Sequence, residues 1–161
     1  QCSFAITAGP LDETRFEGDP LFFSHYSVRM HRSHPLAKLP ALTYDDLDGQ
    51  TIISKGRAYD CFRHHIDKYF LAPGRKIHIL AETADEIIIR TLLLHNKAIN
   101  IGYDYADPLY PHPDIVSRTL KEEISGQMIY LVSNPQVRKT KAACLFRDYL
   151  LEWMKKKAAR G

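Results

Sequence analysis

The chain has 161 residues, enough for one ordinary domain or two small lobes. Hydrophobic residues make up 45% and charged residues 25%, a globular composition that excludes a disordered chain. The net charge of +3 owes much to Lys155, Lys156, Lys157 and Arg160, and so small an excess at one end excludes the basic face of a DNA-binding surface.

No apolar run approaches the roughly 18 to 20 residues of a membrane helix, so a membrane partner is not expected. Cys2, Cys61 and Cys144 are odd in number and widely spaced, which argues against a disulfide framework and for a reducing, cytoplasmic setting. The start lacks a basic segment followed by an apolar run, so no secretory signal is expected, and Gln1 reads as a cut end.

Strand and helix signals alternate along the chain, predicting an α/β architecture with mainly parallel strands. "CSFAIT" is the first strand, closed by Ala8, Gly9 and Pro10. "PLFFSHYSVRMH", Pro20 to His31, reads as a strand that changes surroundings at His25 to Ser27. Thr43 to Asp46 predicts a one-turn helix start, with a threonine oxygen accepting from free N–H groups. The strand "TIIS" passes through Lys55, Gly56 and Arg57 into a helix from Ala58 to Phe70, stopped by Pro73 and Gly74.

"KIHILAE" is a further strand, and Thr83 with Glu86 has the spacing of a capping box. The helix it opens runs to about His95, with Ala84, Ile87, Ile88 and Thr91 as the expected buried stripe and Leu92 and Leu94 adding apolar surface. "AINIGY" is a buried strand, and Pro108, Pro111 and Pro113 make the next stretch irregular. "DIVSRTL" and "GQMIYLVSN" resume strand character. The last helix spans about Gln136 to Lys157, with Phe146, Tyr149, Leu150, Trp153 and Met154 on one face.

The chemistry-bearing positions sit at strand ends. A helix start offers unpaired N–H groups and partial positive charge, so the loop Ser54, Lys55, Gly56, Arg57 suits an anion. It lacks the G-x-x-x-x-G-K-[ST] spacing of a nucleotide phosphate loop, and two surface cations on an ordinary loop are the competing interpretation. Open α/β sheets hold ligands beyond the carboxyl ends of their strands, which makes Thr7, Ser54, Glu82 with Thr83, and Gly102 with Tyr103 candidates to face one crevice.

Cys61, His64 and His65 share a helix face beside Asp60, but no second ligand pair stands at a recognised spacing, so no metal and no cofactor are expected. Neither a G-x-S-x-G elbow nor a cysteine-protease context is present, and His25, His31, His34, His78, His95 and His112 are isolated. Asp104 and Asp107 beside Tyr103 and Tyr105 form the most site-like acidic cluster. No nucleophile, base and orienting group assemble, so the chain is not expected to be an enzyme.

The order "FAIT", "PLFFSHYSVRMHRSHPLA", "LTYDDLDGQTIIS", "AETADEIIIRTLLLHNKAINIGYDYA", then a strand and a C-terminal helix, resembles the effector-binding domain of LysR-type transcriptional regulators. "HPLA" at His34 to Ala37, "DLDGQTII" and "INIG" are its ordered landmarks, and the likeness covers essentially the whole chain. The resemblance implies a two-lobed α/β fold like type II periplasmic solute-binding proteins, with the first lobe incomplete: residues 1–26 and 127–161 in a partial first lobe, 27–126 in a complete second one.

It further implies a small-molecule effector between the lobes, a homo-oligomer in the full-length protein, and DNA contact only through a helix-turn-helix domain that this chain lacks. The site it implies takes Thr7 from the first lobe and Ser54, Lys55, Gly56, Arg57, Phe62, Thr83, Gly102 and Tyr103 from the second. The loop matches that family's loop-to-helix wall in position and not in residue types. A small anionic effector is expected on the residues' own chemistry. The alternative is a solute-binding protein serving a transporter, the same fold in another class.

Overall fold

A computed structural model of the chain describes residues 2–56, 74–109, 111–121 and 126–158. Its strands are β1 (Ala5–Ala8), β2 (Glu17–His31), β3 (Thr51–Ser54), β4 (His78–Glu82), β5 (Ile99–Tyr103), β6 (Ile115–Thr119) and β7 (Gly126–Ser133). Its α-helices among the described residues are α1 (Glu86–Leu94) and α2 (Lys141–Ala158). The chain divides into two units, Gln1–Phe23 with Gln127–Gly161, and Ser24–Gly126.

In the first unit β7 pairs antiparallel with β1, from Ala5 opposite Val132 to Ala8 opposite Ile129, and has β2 on its other side. β1 is an edge strand whose Ala5, Ile6 and Thr7 are exposed. Helix α2 starts later than the sequence predicts, at Lys141. Asn134 holds residues 134–137 in a turn instead, its Oδ1 accepting from Gln136 N–H at 2.9 Å and its carbonyl from Val137 N–H at 3.1 Å. Thr140 then caps the helix, accepting from Ala143 N–H at 3.2 Å.

The expected apolar face of α2 holds only in part. Leu150 and Met154 are half-buried, in a row with Ala143, Arg147 and Leu151, while Phe146, Tyr149 and Trp153 are exposed. The row turned inward centres on Arg147, whose guanidinium binds both oxygens of Asp19 on β2, Nε to Oδ2 and Nη2 to Oδ1 at 2.7 Å each. That pair, rather than aromatic burial, sets which way the helix faces.

In the second unit the strand order is β6-β2-β5-β3-β4. β3 is parallel to β4 and β5, whereas β2 is antiparallel to β5 and β6. The sheet is therefore mixed and not mainly parallel. Only the β3-to-β5 run carries the long crossovers that parallel neighbours need. β2 is one unbroken strand, and its surroundings do change partway: burial is partial up to Phe23, and Tyr26 to Met30 are buried without interruption.

Helix α1 buries Ile89 and Leu93 against Ile53 and Ala98, with Leu92, Ala81 and Ile115 around them. The predicted stripe is wrong in phase: Ile87 is 77% exposed and Ile88 is exposed as well. Asp85 is the cap, its Oδ1 accepting from Ile87 N–H at 2.8 Å and Ile88 N–H at 3.4 Å, so Thr83 and Glu86 do not form a capping box. At Thr43 the threonine donates instead of accepting, its N–H and Oγ1 reaching Asp46 Oδ2 at 2.8 and 2.9 Å. The short helical turn there is Asp45–Leu47, with Leu47 buried.

Candidate functional site

The second unit gathers polar groups at the carboxyl ends of β3, β4 and β5. Thr83 N–H donates to Ser54 O at 2.8 Å, tying the ends of β3 and β4 together. Ser54 is buried and its Oγ accepts from Gly56 N–H at 3.1 Å. Gly56 has φ +88°, and a Cβ there would stand 2.9 Å from Glu82 Cβ. A residue with a side chain is excluded on both counts. The space beside Gly56 is thus taken by the Glu82 side chain of the neighbouring strand. Thr83 Oγ1 accepts from Asp85 N–H at 3.0 Å.

β5 continues the line. Ile53 pairs with Asn100, and Asn100 Nδ2 donates to Ile53 O at 2.8 Å. On the far side Arg29 of β2 pairs with Asn100, donating to its Oδ1 from Nη2 at 2.8 Å and Nε at 3.2 Å. Arg29 also grips Glu86 at the start of α1, Nη1 to Oε1 at 2.5 Å and Nη2 to Oε2 at 3.1 Å. The Arg29 side chain is only 9% exposed, so this ion pair is largely desolvated. The network fixes the mouth of the sheet, and sequence reading did not single out Arg29, Glu86 or Asn100 for it. Polar residues inside "SVRMH" and "INIG" were the available signal.

Gly102 lies opposite Ser27, two residue pairs beyond Asn100 and Arg29. Gly102 is buried, and among the described residues a Cβ there would meet Asn100 Oδ1 at 3.7 Å, an ordinary contact. Tyr103 points to the opposite face. Its ring is 5% exposed and stacked on Tyr26 at 5.2 Å and Tyr105 at 5.9 Å. The following turn, Asp104–Leu109, brings in two carboxylates. Asp104 accepts from Ser24 Oγ at 2.6 Å and lies 3.5 Å from His25 Nδ1. Asp107 is held above the ordinary carboxylate range by burial, against the pull of the Ser27 and Ser117 hydroxyls and the Arg29 charge.

Thr7 belongs to the first unit, exposed on β1, where its Oγ1 donates to Ala8 O at 3.3 Å. Arg57 and Phe62 lie outside the described residues, as do the Ala58 to Phe70 helix and the Cys61, His64, His65 set. Among the described residues no three His, Cys, Asp or Glu side chains are placed to hold a metal ion. No described helix is long and apolar enough to cross a membrane. The first unit carries its own cavity of about 310 Å³, lined by Phe4, Glu17, Asp19, Lys139, Cys144 and Arg147 among others.

The family model described as LysR substrate binding domain matches residues 1–155. No curated protein matches the chain. Among solved structures, the effector binding domain of QuiR in complex with shikimate has a TM-score of 0.78 at 22% identity, covering 96% of this chain and 72% of that one. The CcmR regulatory domain of Synechocystis PCC6803 in complex with 2-PG has a TM-score of 0.78 at 15% identity, covering 95% of this chain and 74% of that one. CbnR, a LysR family transcriptional regulator, has a TM-score of 0.72 at 14% identity, covering 92% of this chain and 51% of that one. At these identities the solved structures show a common fold.

Proposed function

The chain belongs to the LysR substrate binding domain family and has its periplasmic-binding-protein-like α/β fold; on that premise we propose that it is the effector-sensing part of a LysR-type transcriptional regulator, holding a small anionic metabolite without transforming it. The observation that carries this is the joined strand tips: Ser54 O bonded to Thr83 N–H, with the Ser54 hydroxyl and Gly56 backbone folded over them. In accepting from Gly56 N–H, Ser54 uses its oxygen, and its O–H can still donate to an anion.

In this proposal Lys55 adds charge beside Ser54 and Gly56, and Thr83 a hydroxyl. The QuiR and CcmR domains, bound to shikimate and 2-PG, support the small-molecule class. The domain acts in the cytoplasm as part of a homo-oligomer, and DNA is bound by a helix-turn-helix domain outside this chain. The effector shifts the population of two conformations in proportion to its differential affinity for them.

The test is titration calorimetry of the chain against small carboxylates and phosphates, with Ser54→Ala and Lys55→Ala. An anion that binds the parent is expected to lose about tenfold in affinity to Ser54→Ala, the worth of one charge-assisted hydrogen bond. Affinity unchanged from the parent in both variants overturns the assignment.

A further inference from the structure

We propose that the cavity of the first unit is a second ligand site, taking the ammonium and carboxylate of a free amino acid; it stands apart from the joined strand tips and does not depend on the sensor reading. The cavity measures about 310 Å³ and is lined by residues of that unit alone. Glu17 and Asp19 alternate along β2 and so share one face of it. Ser133 closes β7, Lys139 lies just before α2, and Arg147 stands on that helix.

The lining groups are unequally occupied. Arg147 and Asp19 hold each other through two hydrogen bonds of 2.7 Å. Among the described residues the Glu17 side chain makes no hydrogen bond or ion pair, and Lys139 Nζ has only the Phe4 ring, 6.0 Å from its centroid. Ser133 is 8% exposed, and its hydroxyl too makes no hydrogen bond among the described residues. A serine buried to that degree normally has a partner, and this one lines a cavity instead.

The three unoccupied groups select the ligand by their chemistry. An anion alone is attracted by Lys139 and repelled by Glu17, and a cation alone meets the reverse. A neutral ligand takes water from both charges and returns no counter-charge to either. A zwitterion answers both, its ammonium donating to Glu17 and its carboxylate accepting from Lys139 and from the Ser133 O–H. Phe4 adds apolar surface for a side chain. The volume is at the small end of the range for small-molecule sites, roughly 300 to 1,000 Å³, which suits a single amino acid and not a peptide.

The experiment is a protein-observed NMR titration of the whole chain with alanine, leucine and phenylalanine, each beside the acid that lacks its amino group and the amine that lacks its carboxylate. These are propionate and ethylamine, isocaproate and isoamylamine, hydrocinnamate and phenethylamine. At least one amino acid is expected to bind about tenfold tighter than both of its fragments, with amide shifts centred on Ser133, Lys139 and Arg147. Glu17→Gln, which keeps the shape and removes the charge, should bring that amino acid down to the affinity of its acid. Lys139→Ala should bring it down to the affinity of its amine. Neither side chain bonds to the described fold, so both variants should melt as the parent does.

An acid or amine that binds as tightly as its amino acid overturns the proposal, and so does binding untouched by both variants. Shifts centred on Ser54 and Thr83 assign the amino acid to the strand tips and overturn it as well. Failure of all three amino acids to bind has the same effect and leaves the sensor reading intact. Should either variant melt lower, the ratio and the shifts in the parent decide by themselves.

Discussion

The two units solve the burial problem unequally. Residues 24–126 seal Val28, Met30, Ile52, Ile53, Ile89, Leu93, Ile99 and Leu120 almost completely. The other unit seals Ile129 and Leu131 on its central strand and leaves Ile6, Leu145, Phe146, Tyr149 and Trp153 in contact with solvent. Both contain paired strands and a helix, so secondary structure alone does not account for the difference. A sheet needs apolar cover on each face it turns from water, and within the second unit α1 supplies such cover by placing Ile89 and Leu93 on Ile53.

The largest effect that could break this contrast comes from the core. Leu93→Ala is expected to cost about 3 kcal/mol in urea denaturation, the usual range for deleting a buried leucine side chain. Trp153→Ala, at a residue 46% exposed, should cost about 1 kcal/mol or less. Equal losses would mean that the two units are stabilised alike.

The ion pairs give the next contrast. Glu86→Ala strands Arg29 in a desolvated site and should cost about 2 to 3 kcal/mol, whereas Asp19→Ala breaks a more solvated pair with Arg147 and should cost at most about 1 kcal/mol. Glu86→Gln, which keeps an acceptor, should fall between the parent and Glu86→Ala.

The smallest effects are slopes with pH, and the two expected within the second unit have opposite signs. Burial raises the Asp107 carboxyl above its usual 3.8, so the folded chain retains a proton that the unfolded chain has released. That stabilisation is complete below 3.8 and is lost as pH rises through the elevated folded value. Burial lowers His34 from its usual 6.5, so its contribution is present above 6.5 and is lost as pH falls through the depressed value. Asp107→Asn should remove the first slope and leave the second, as read from melting temperature across pH.

Much of the second unit was legible in the sequence. "TIIS" read as a strand and "AINIGY" as a buried one because apolar runs end in polar or glycine punctuation, and the structure has β3 and β5 there. The phase of α1 was not legible, because Ile87, Ile88 and Ile89 stand in a row and hydrophobicity alone cannot say which turns inward. The cap at Asp85 and the hold of Arg29 on Glu86 decide it. That second contact joins residues 57 positions apart, and no local pattern announces it. Nor does composition distinguish a buried arginine in a strand from one on a surface.

The chain contains one tryptophan, Trp153, on α2 with Lys157 Nζ 5.3 Å from its ring centroid. Intrinsic indole emission therefore reports from the sparsely covered unit, with a red-shifted spectrum fitting its contact with water. The stacked Tyr26, Tyr103 and Tyr105 rings lend the other unit a near-ultraviolet circular dichroism signature of its own. Optical spectroscopy can thus follow the melting of each half without a label.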